Sequence, residues 1–257
     1  MKTNYTRLEP ETLAYTARVI ADGGEIISQF DVDQAYKHAK VEGYYSNIKA
    51  WYSAQFGVKK DVAGAVSVLY DISSNDKDAT QATGGLQPIW TASTQNGKAG
   101  IVFDGSNVLD HSVDNGSQPC IALAVANRTA GSFYYTIYTA TNPLLLALVD
   151  GSNNWGAYMS SSYPSSYSIL DTRRIISFVA RAGDDFDLIT DAESIETLAV
   201  GSWYTGGTRQ SIGASYYSDA YREFLIGDIE EIIHLDVSTS SIETKIRAFE
   251  NTKWAVY

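Results

Sequence analysis

Few groups in this chain could do chemistry, and their spacing limits what they could do. Retaining hydrolysis of a glycoside needs two carboxyls roughly 5 Å apart, which one strand can supply from alternate residues. The nearest arrangement is Asp228-Ile229-Glu230-Glu231, where Asp228 and Glu230 would share a face, against a solvent-facing acidic edge as the other reading. The longer Glu-x-Asp-x-Glu spacings are absent. His38, His111 and His234 are the only imidazoles, and none follows a nucleophile elbow. His111 falls in a loop beside Asp110, and His234, between Ile233 and Leu235, reads as a hydrogen-bonded sheet residue. Zinc spacing is missing, since Cys120 is the lone thiol and the histidines are scattered. Gly201 to Gly207 lacks the Lys-Ser/Thr of a phosphate loop. Asp184, Asp185 and Asp187, followed by Asp191 and Glu193, offer hard oxygen ligands for calcium, with a solvated acidic turn as the other reading. No other cofactor is expected.

Aromatic residues are the plentiful resource: 18 Tyr, 5 Trp and 8 Phe. Trp155 with Tyr158, Tyr163 with Tyr167, Trp203 with Tyr204, and Tyr216, Tyr217 and Tyr221 all fall in stretches rich in Ser, Gly and Asn. Such a mixture suits recognition, because a stiff ring gives contact area at low entropy cost and small polar groups supply hydrogen bonds. Rings also fill cores and subunit interfaces. As a group they point to a binding surface rather than a catalytic one.

These residues need a scaffold, and 257 residues at 44% hydrophobic content can bury a proper core. The net charge of −11 repels nucleic acid and anionic membrane wherever no basic cluster offsets it. The longest strongly apolar run, Leu144 to Val149, is far below the roughly 20 residues of a membrane helix. A single cysteine forbids an internal disulfide and fits synthesis in a reducing cytosol; the start of the chain shows no signal-peptide pattern.

Pro10 can open a helix in which Leu13, Ala17 and Ile20 share a face before Gly23-Gly24 ends it. Asp31 can cap a second helix carrying Val32, Ala35, Tyr36 and Ala39, with Gly43 past its end. Both are too short to stand alone in water, so the pair must dock on the body or on another chain. Beyond Lys49 come short apolar or alternating runs broken by Gly, Asn, Asp and Ser, the texture of an antiparallel sandwich or barrel. A last helix opens at Ser240, with Glu243 completing a capping box, and Ile242, Ile246 and Phe249 face the sandwich ahead of Trp254.

Several stretches in order resemble the concanavalin A-like lectin/glucanase superfamily, in the laminin-G-like branch of bacterial surface proteins and phage virion proteins. They are Ile48-Lys49-Ala50-Trp51-Tyr52-Ser53-Ala54, Leu69 through Gln81 with Asp71 and Asp78 flanking a polar turn, Gln87-Pro88-Ile89-Trp90, Asn96 through Ser106, and Phe224 through Ile233 followed by the final helix. The resemblance implies a mainly β fold, an antiparallel jelly-roll sandwich over 48–257, with a helical N-terminal lead-in over 1–47 and a C-terminal helix. It further implies a non-enzymatic phage virion protein, an appendage, fibre or capsid decoration. Such a protein is released by lysis, oligomerises with itself, contacts other virion proteins and attaches to surface glycans through copies acting together. Trp155, Tyr158, Tyr163, Trp203, Tyr204, Tyr216 and Tyr217 are the expected contact residues. The alternatives are a glycan-degrading enzyme of the same superfamily and a bacterial carbohydrate-binding adhesin module.

Overall fold

A computed structural model describes residues 7–113, 119–129, 135–140, 144–149, 154–158, 162–168, 174–180, 185–191, 194–199, 209–217, 220–237 and 239–256. Three helices, α1 (Pro10–Ala21), α2 (Gln29–Val41) and α3 (Ser240–Trp254), flank a body of strands. The strands of the first half are β1 (Glu25–Ile26), β2 (Ile48–Ser53), β3 (Gly57–Lys60), β4 (Val66–Leu69), β5 (Ala79–Thr80), β6 (Ile89–Gln95), β7 (Lys98–Asp104), β8 (Leu109–His111) and β9 (Cys120–Arg128). There follow β10 (Tyr135–Ala140), β11 (Leu144–Val149), β12 (Asn154–Tyr158), β13 (Ser162–Ser168), β14 (Arg174–Ala180), β15 (Asp185–Thr190) and β16 (Ser194–Ala199). The last are β17 (Gln210–Ile212), β18 (Ser215–Tyr217), β19 (Ala220–Arg222) and β20 (Ile226–Leu235).

The expected mainly β antiparallel sandwich with helices at both ends is what forms. One sheet runs β1-β3-β4-β5-β8-β17-β10-β11-β12-β13, the other β16-β15-β14-β9-β20-β7-β6, and β2 also pairs with β20. β20 is central. One of its edges pairs with β9 along nearly its whole length, while its other edge is shared end to end by β7 and β2. An antiparallel bridge between Ala65 and Ile89 ties the two sheets together along one side.

Two apolar layers result. Between the sheets lie Tyr52, Val58, Leu69, Ile101, Phe103, Leu109, Ala124, Ile137, Phe178 and Ile232. On the far side of the β9–β14–β20 sheet, Trp51, Ile121, Leu123, Ile233 and Leu235 are covered by Val32, Ala35 and Tyr36 of α2 and by Ile246 and Trp254 of α3. Burial on both faces explains why β9, Cys-Ile-Ala-Leu-Ala-Val-Ala-Asn-Arg, reads as an unbroken apolar run.

The helix ends differ from expectation in instructive ways. α2 is capped by Ser28, whose Oγ accepts the Asp31 N–H at 3.2 Å, so Asp31 lies in the first turn instead. α3 is capped by Thr239, and Glu243 turns inward to pair with Arg247 at 3.2 Å instead of closing a capping box. On α1 the expected face is reversed: Thr12, Tyr15 and Val19 are buried, while Leu13 and Ile20 are more than half exposed. Polar anchoring decides this. The Tyr15 hydroxyl accepts the Gly57 N–H and donates to the Tyr70 carbonyl, and the Thr12 hydroxyl donates to Asp33 at 3.1 Å.

The polar turn after β4 is organised by one carboxylate. Asp71 is buried and accepts the N–H groups of Trp51, Ser73 and Lys77 and the Ser73 hydroxyl, at 2.5–3.0 Å. Asp78 accepts the Asp71 N–H and the Arg18 guanidinium of α1 at 2.8 and 2.7 Å. A turn read from sequence as structural is therefore also the seat of α1.

Candidate functional site

α2 and α3 cover one sheet; the candidate site lies on the other, at β8 and β17. β8 alternates: Leu109 and His111 are buried toward the core, and Asp110 faces outward, opposite Ser211 of β17. Immediately after β17, Gly213 takes φ +85° and the chain turns into the β18–β19 hairpin, in which Tyr216 pairs with Tyr221. A Cβ at Gly213 would meet the Phe103 ring at 2.2 Å, so only glycine permits this turn here.

The hairpin brings four side chains together. The Tyr221 hydroxyl donates a short hydrogen bond to Asp110 Oδ2, and Arg209 Nη1 donates to the same hydroxyl at 3.1 Å. The guanidinium lies 4.9 Å from the Tyr216 ring centroid and 3.8 Å from the Asp110 carboxylate. The two tyrosine rings meet edge to face at 5.1 Å, and Phe224 stands 6.4 Å beyond Tyr221. Burial first, and the bond to Asp110 second, push the Tyr221 hydroxyl up to about 12, so it stays a donor at neutral pH. Asp110 Oδ1 is buried without a hydrogen-bond partner, and Arg209 is more than half exposed. Such a cluster can stack a ring against C–H groups while the guanidinium, oriented by the carboxylate, donates to neighbouring hydroxyls.

Of the expected contact residues, Tyr216 belongs to this cluster and Tyr217 follows it on β18, paired with Ala220. Trp155 and Tyr158 lie on β12 and Tyr163 on β13, in the same sheet but separated from β17 by β10 and β11. Trp203 and Tyr204 lie outside the described residues. Asp110 and Arg209 were missed as contact residues, although the alternation in Leu109-Asp110-His111 signals an outward acid on a strand rather than the expected loop.

The acidic set on β20 needs correcting. Asp228, Glu230 and Glu231 form no solvent-facing edge; all three are at least nine-tenths buried, and a bulge between Ile229 and Glu231 breaks the simple alternation. Asp228 accepts Asn127 Nδ2 at 3.2 Å and Glu230 accepts the Thr94 hydroxyl at 2.9 Å, so a saccharide on the surface reaches neither as placed. Among the calcium candidates, Asp184 and Glu193 lie outside the described residues and Asp185 is on β15. Asp187, also on β15, is buried and accepts the Thr197 hydroxyl at 2.7 Å, and Asp191 accepts the Ile175 N–H at 3.2 Å. Among the described residues no three His, Cys, Asp or Glu gather as for a metal ion.

His234 is, as expected, a hydrogen-bonded sheet residue, with its Nδ1 3.0 Å from the Tyr138 hydroxyl. His111 stacks on the same tyrosine at 4.9 Å. Both histidines are sealed between the sheets, where burial lowers each to about 3 and keeps the rings neutral.

No family model and no curated protein matches the chain. Solved structures do. A mutant of Trypanosoma rangeli sialidase displaying trans-sialidase activity superposes with a TM-score of 0.53 at 12% identity, covering 88% of this chain and 39% of that one. The T. rangeli sialidase in complex with sialic acid gives 0.55 at 13%, covering 79% and 33%. Domain 4 of AbnA, a GH43 extracellular arabinanase from Geobacillus stearothermophilus, in complex with arabinotriose, gives 0.54 at 14%, covering 79% of this chain and 98% of that domain. The chain thus spans about two fifths or less of the sialidases and nearly all of the arabinanase domain. At such identities the likeness is one of fold. It nonetheless overturns the expectation of a non-enzymatic protein, because this sandwich occurs within sialidases and as a domain of an arabinanase.

Proposed function

We propose that this chain is a glycan-binding β-sandwich that serves a glycan-processing or glycan-attaching protein, with Asp110, Arg209, Tyr216 and Tyr221 as its contact surface. One observation carries the reading: two tyrosine rings and an exposed guanidinium meet beside the Asp110 carboxylate that holds Tyr221. The fold likeness to a domain solved with arabinotriose and to sialidases supports it. Asp228 and Glu230, the acids first considered for turnover, are at least nine-tenths buried, so hydrolysis would draw on other carboxyls. The test is a glycan array repeated with Arg209→Ala and Tyr221→Phe, alongside an assay for new reducing ends on any glycan bound. Each substitution removes about 1–2 kcal/mol, roughly a tenfold loss of affinity. Unchanged binding by both variants overturns the assignment of the site.

A second reading concerns placement. Leu13, Ile20, Phe30 and Val41 are exposed apolar residues on α1 and α2. That supports attachment of the helical lead-in to further copies or to other virion proteins, as the laminin-G-like resemblance implies. Light scattering of the wild type against Ile20→Asp with Phe30→Asp reads self-association, and mass spectrometry of purified phage particles reads the placement. A monomeric wild type removes the first, and absence from particles the second.

A further inference from the structure

A cluster unrelated to the glycan surface lies where α3 ends on β20. Glu231 points from β20 into the helix-covered layer. Its Oε1 accepts the Trp51 indole N–H at 2.5 Å, and its Oε2 accepts Lys253 Nζ at 2.5 Å and the Trp254 indole N–H at 2.8 Å. Glu250, one turn before Trp254, presents Oε2 to that same indole N–H at 3.0 Å, while its Oε1 has no partner. The side chains of Lys253 and Glu231 are 5% and 0% exposed, and Glu250 is fully buried. Aromatic rings wall the amine: Phe56 lies 4.5 Å and Trp254 5.2 Å from Nζ.

An amine against a carboxyl, with a second carboxyl beside them and rings excluding water, is an arrangement for making an amide. We infer that Lys253 and Glu231 condense into an intramolecular isopeptide bond, with Glu250 relaying the protons. The reaction proceeds from a neutral amine facing a neutral acid, which transfer of one proton from Nζ to Oε2 supplies across their hydrogen bond. The Nζ lone pair attacks Cδ of Glu231, and the negative charge that develops on Oε1 is met by the Trp51 N–H. Glu250 gives its proton to Oε2 and takes one back from Nζ. The Cδ–Oε2 bond then breaks, and Oε2 departs as water. Amine plus acid gives amide plus water, with no oxidant or reductant required. Burial, reinforced by the charge of Glu231, holds the Glu250 carboxyl well above the usual carboxylate range, so it carries the proton to be donated.

Intact mass measurement of the denatured full-length chain tests this directly. The expected result is a chain lighter by one water, with fragmentation locating a peptide branched between Lys253 and Glu231. Lys253→Met restores the full mass. Glu250→Gln keeps both bonded partners and the shape of the relay, and forms the bond about a hundredfold more slowly. Wild-type protein that keeps its full mass after days folded at neutral pH overturns the inference, and so does a water loss that maps elsewhere. Bond formation at the wild-type rate in Glu250→Gln removes the relay. Because the wild-type mass alone decides the bond, a variant that fails to fold does not shelter it.

Discussion

Acid should weaken this protein through the two histidines between the sheets. A histidine held at about 3 in the fold and at 6.5 when exposed binds its proton in the unfolded chain first, so stability is full above pH 6.5 and falls as pH drops from there toward 3. At pH 5 the gap of about 1.5 units below the free value costs about 2 kcal/mol per histidine and about 4 for the pair, against a total stability of roughly 5–15 kcal/mol. Carboxyls act in the opposite sense where burial raises them: Glu250, Glu243 and Asp71 favour the fold more as pH falls. The histidine part is isolated by comparison with His111→Asn and His234→Asn, whose side-chain oxygens stand in for the Nδ1 atoms that face the Val113 N–H and the Tyr138 hydroxyl. Urea unfolding at pH 7.5 and pH 5 should show each variant losing about 2 kcal/mol less than the wild type across that interval, whatever its absolute stability. Equal losses in wild type and variants would refute the sealed, neutral histidine pair.

Other outcomes follow from packing. Gly213→Ala should cost about 2 kcal/mol or more by thermal unfolding, since the new Cβ meets the Phe103 ring in a left-handed turn. Asp71→Asn should cost about 2–3 kcal/mol and loosen α1, because an amide cannot accept all four hydrogen bonds; hydrogen exchange at Trp51, Ser73 and Lys77 would report it. On α1, Val19→Ala should cost about 2 kcal/mol while Leu13→Ser stays within about 0.5 kcal/mol, and the reverse order would restore the face expected from sequence.

The architecture was legible wherever a short-range rule governed it. Alternation and turn residues marked most strands, and Pro10 with Gly23-Gly24 framed α1 between Pro10 and Ala21. Rules failed where a distant partner outbid a local pattern. β13, Ser-Tyr-Pro-Ser-Ser-Tyr-Ser, resembles a loop until β12 pairs with it. Leu13 and Ile20 form the more apolar stripe, yet the hydroxyls of Thr12 and Tyr15 have partners on α2 and around β3 and choose the inward face. The site was half visible: Tyr216 and Tyr221 stood out as aromatics in polar surroundings, but Asp110 lies 111 residues from Tyr221 and no spacing rule links them. The burial of Glu231 was equally hidden, because Lys253 and Trp254 reach it only once α3 docks.

β20 sits at the heart of its sheet yet is made after every other described strand. As the polypeptide leaves the ribosome, β2, β7 and β9 emerge with their shared neighbour still unsynthesised, and Ile48 waits for Leu235 before its ladder exists. Translation thus holds three hydrophobic edges open until β20 is read, a period in which a chaperone or a neighbouring nascent chain can occupy the gap. Slowing elongation should lengthen that exposure rather than relieve it.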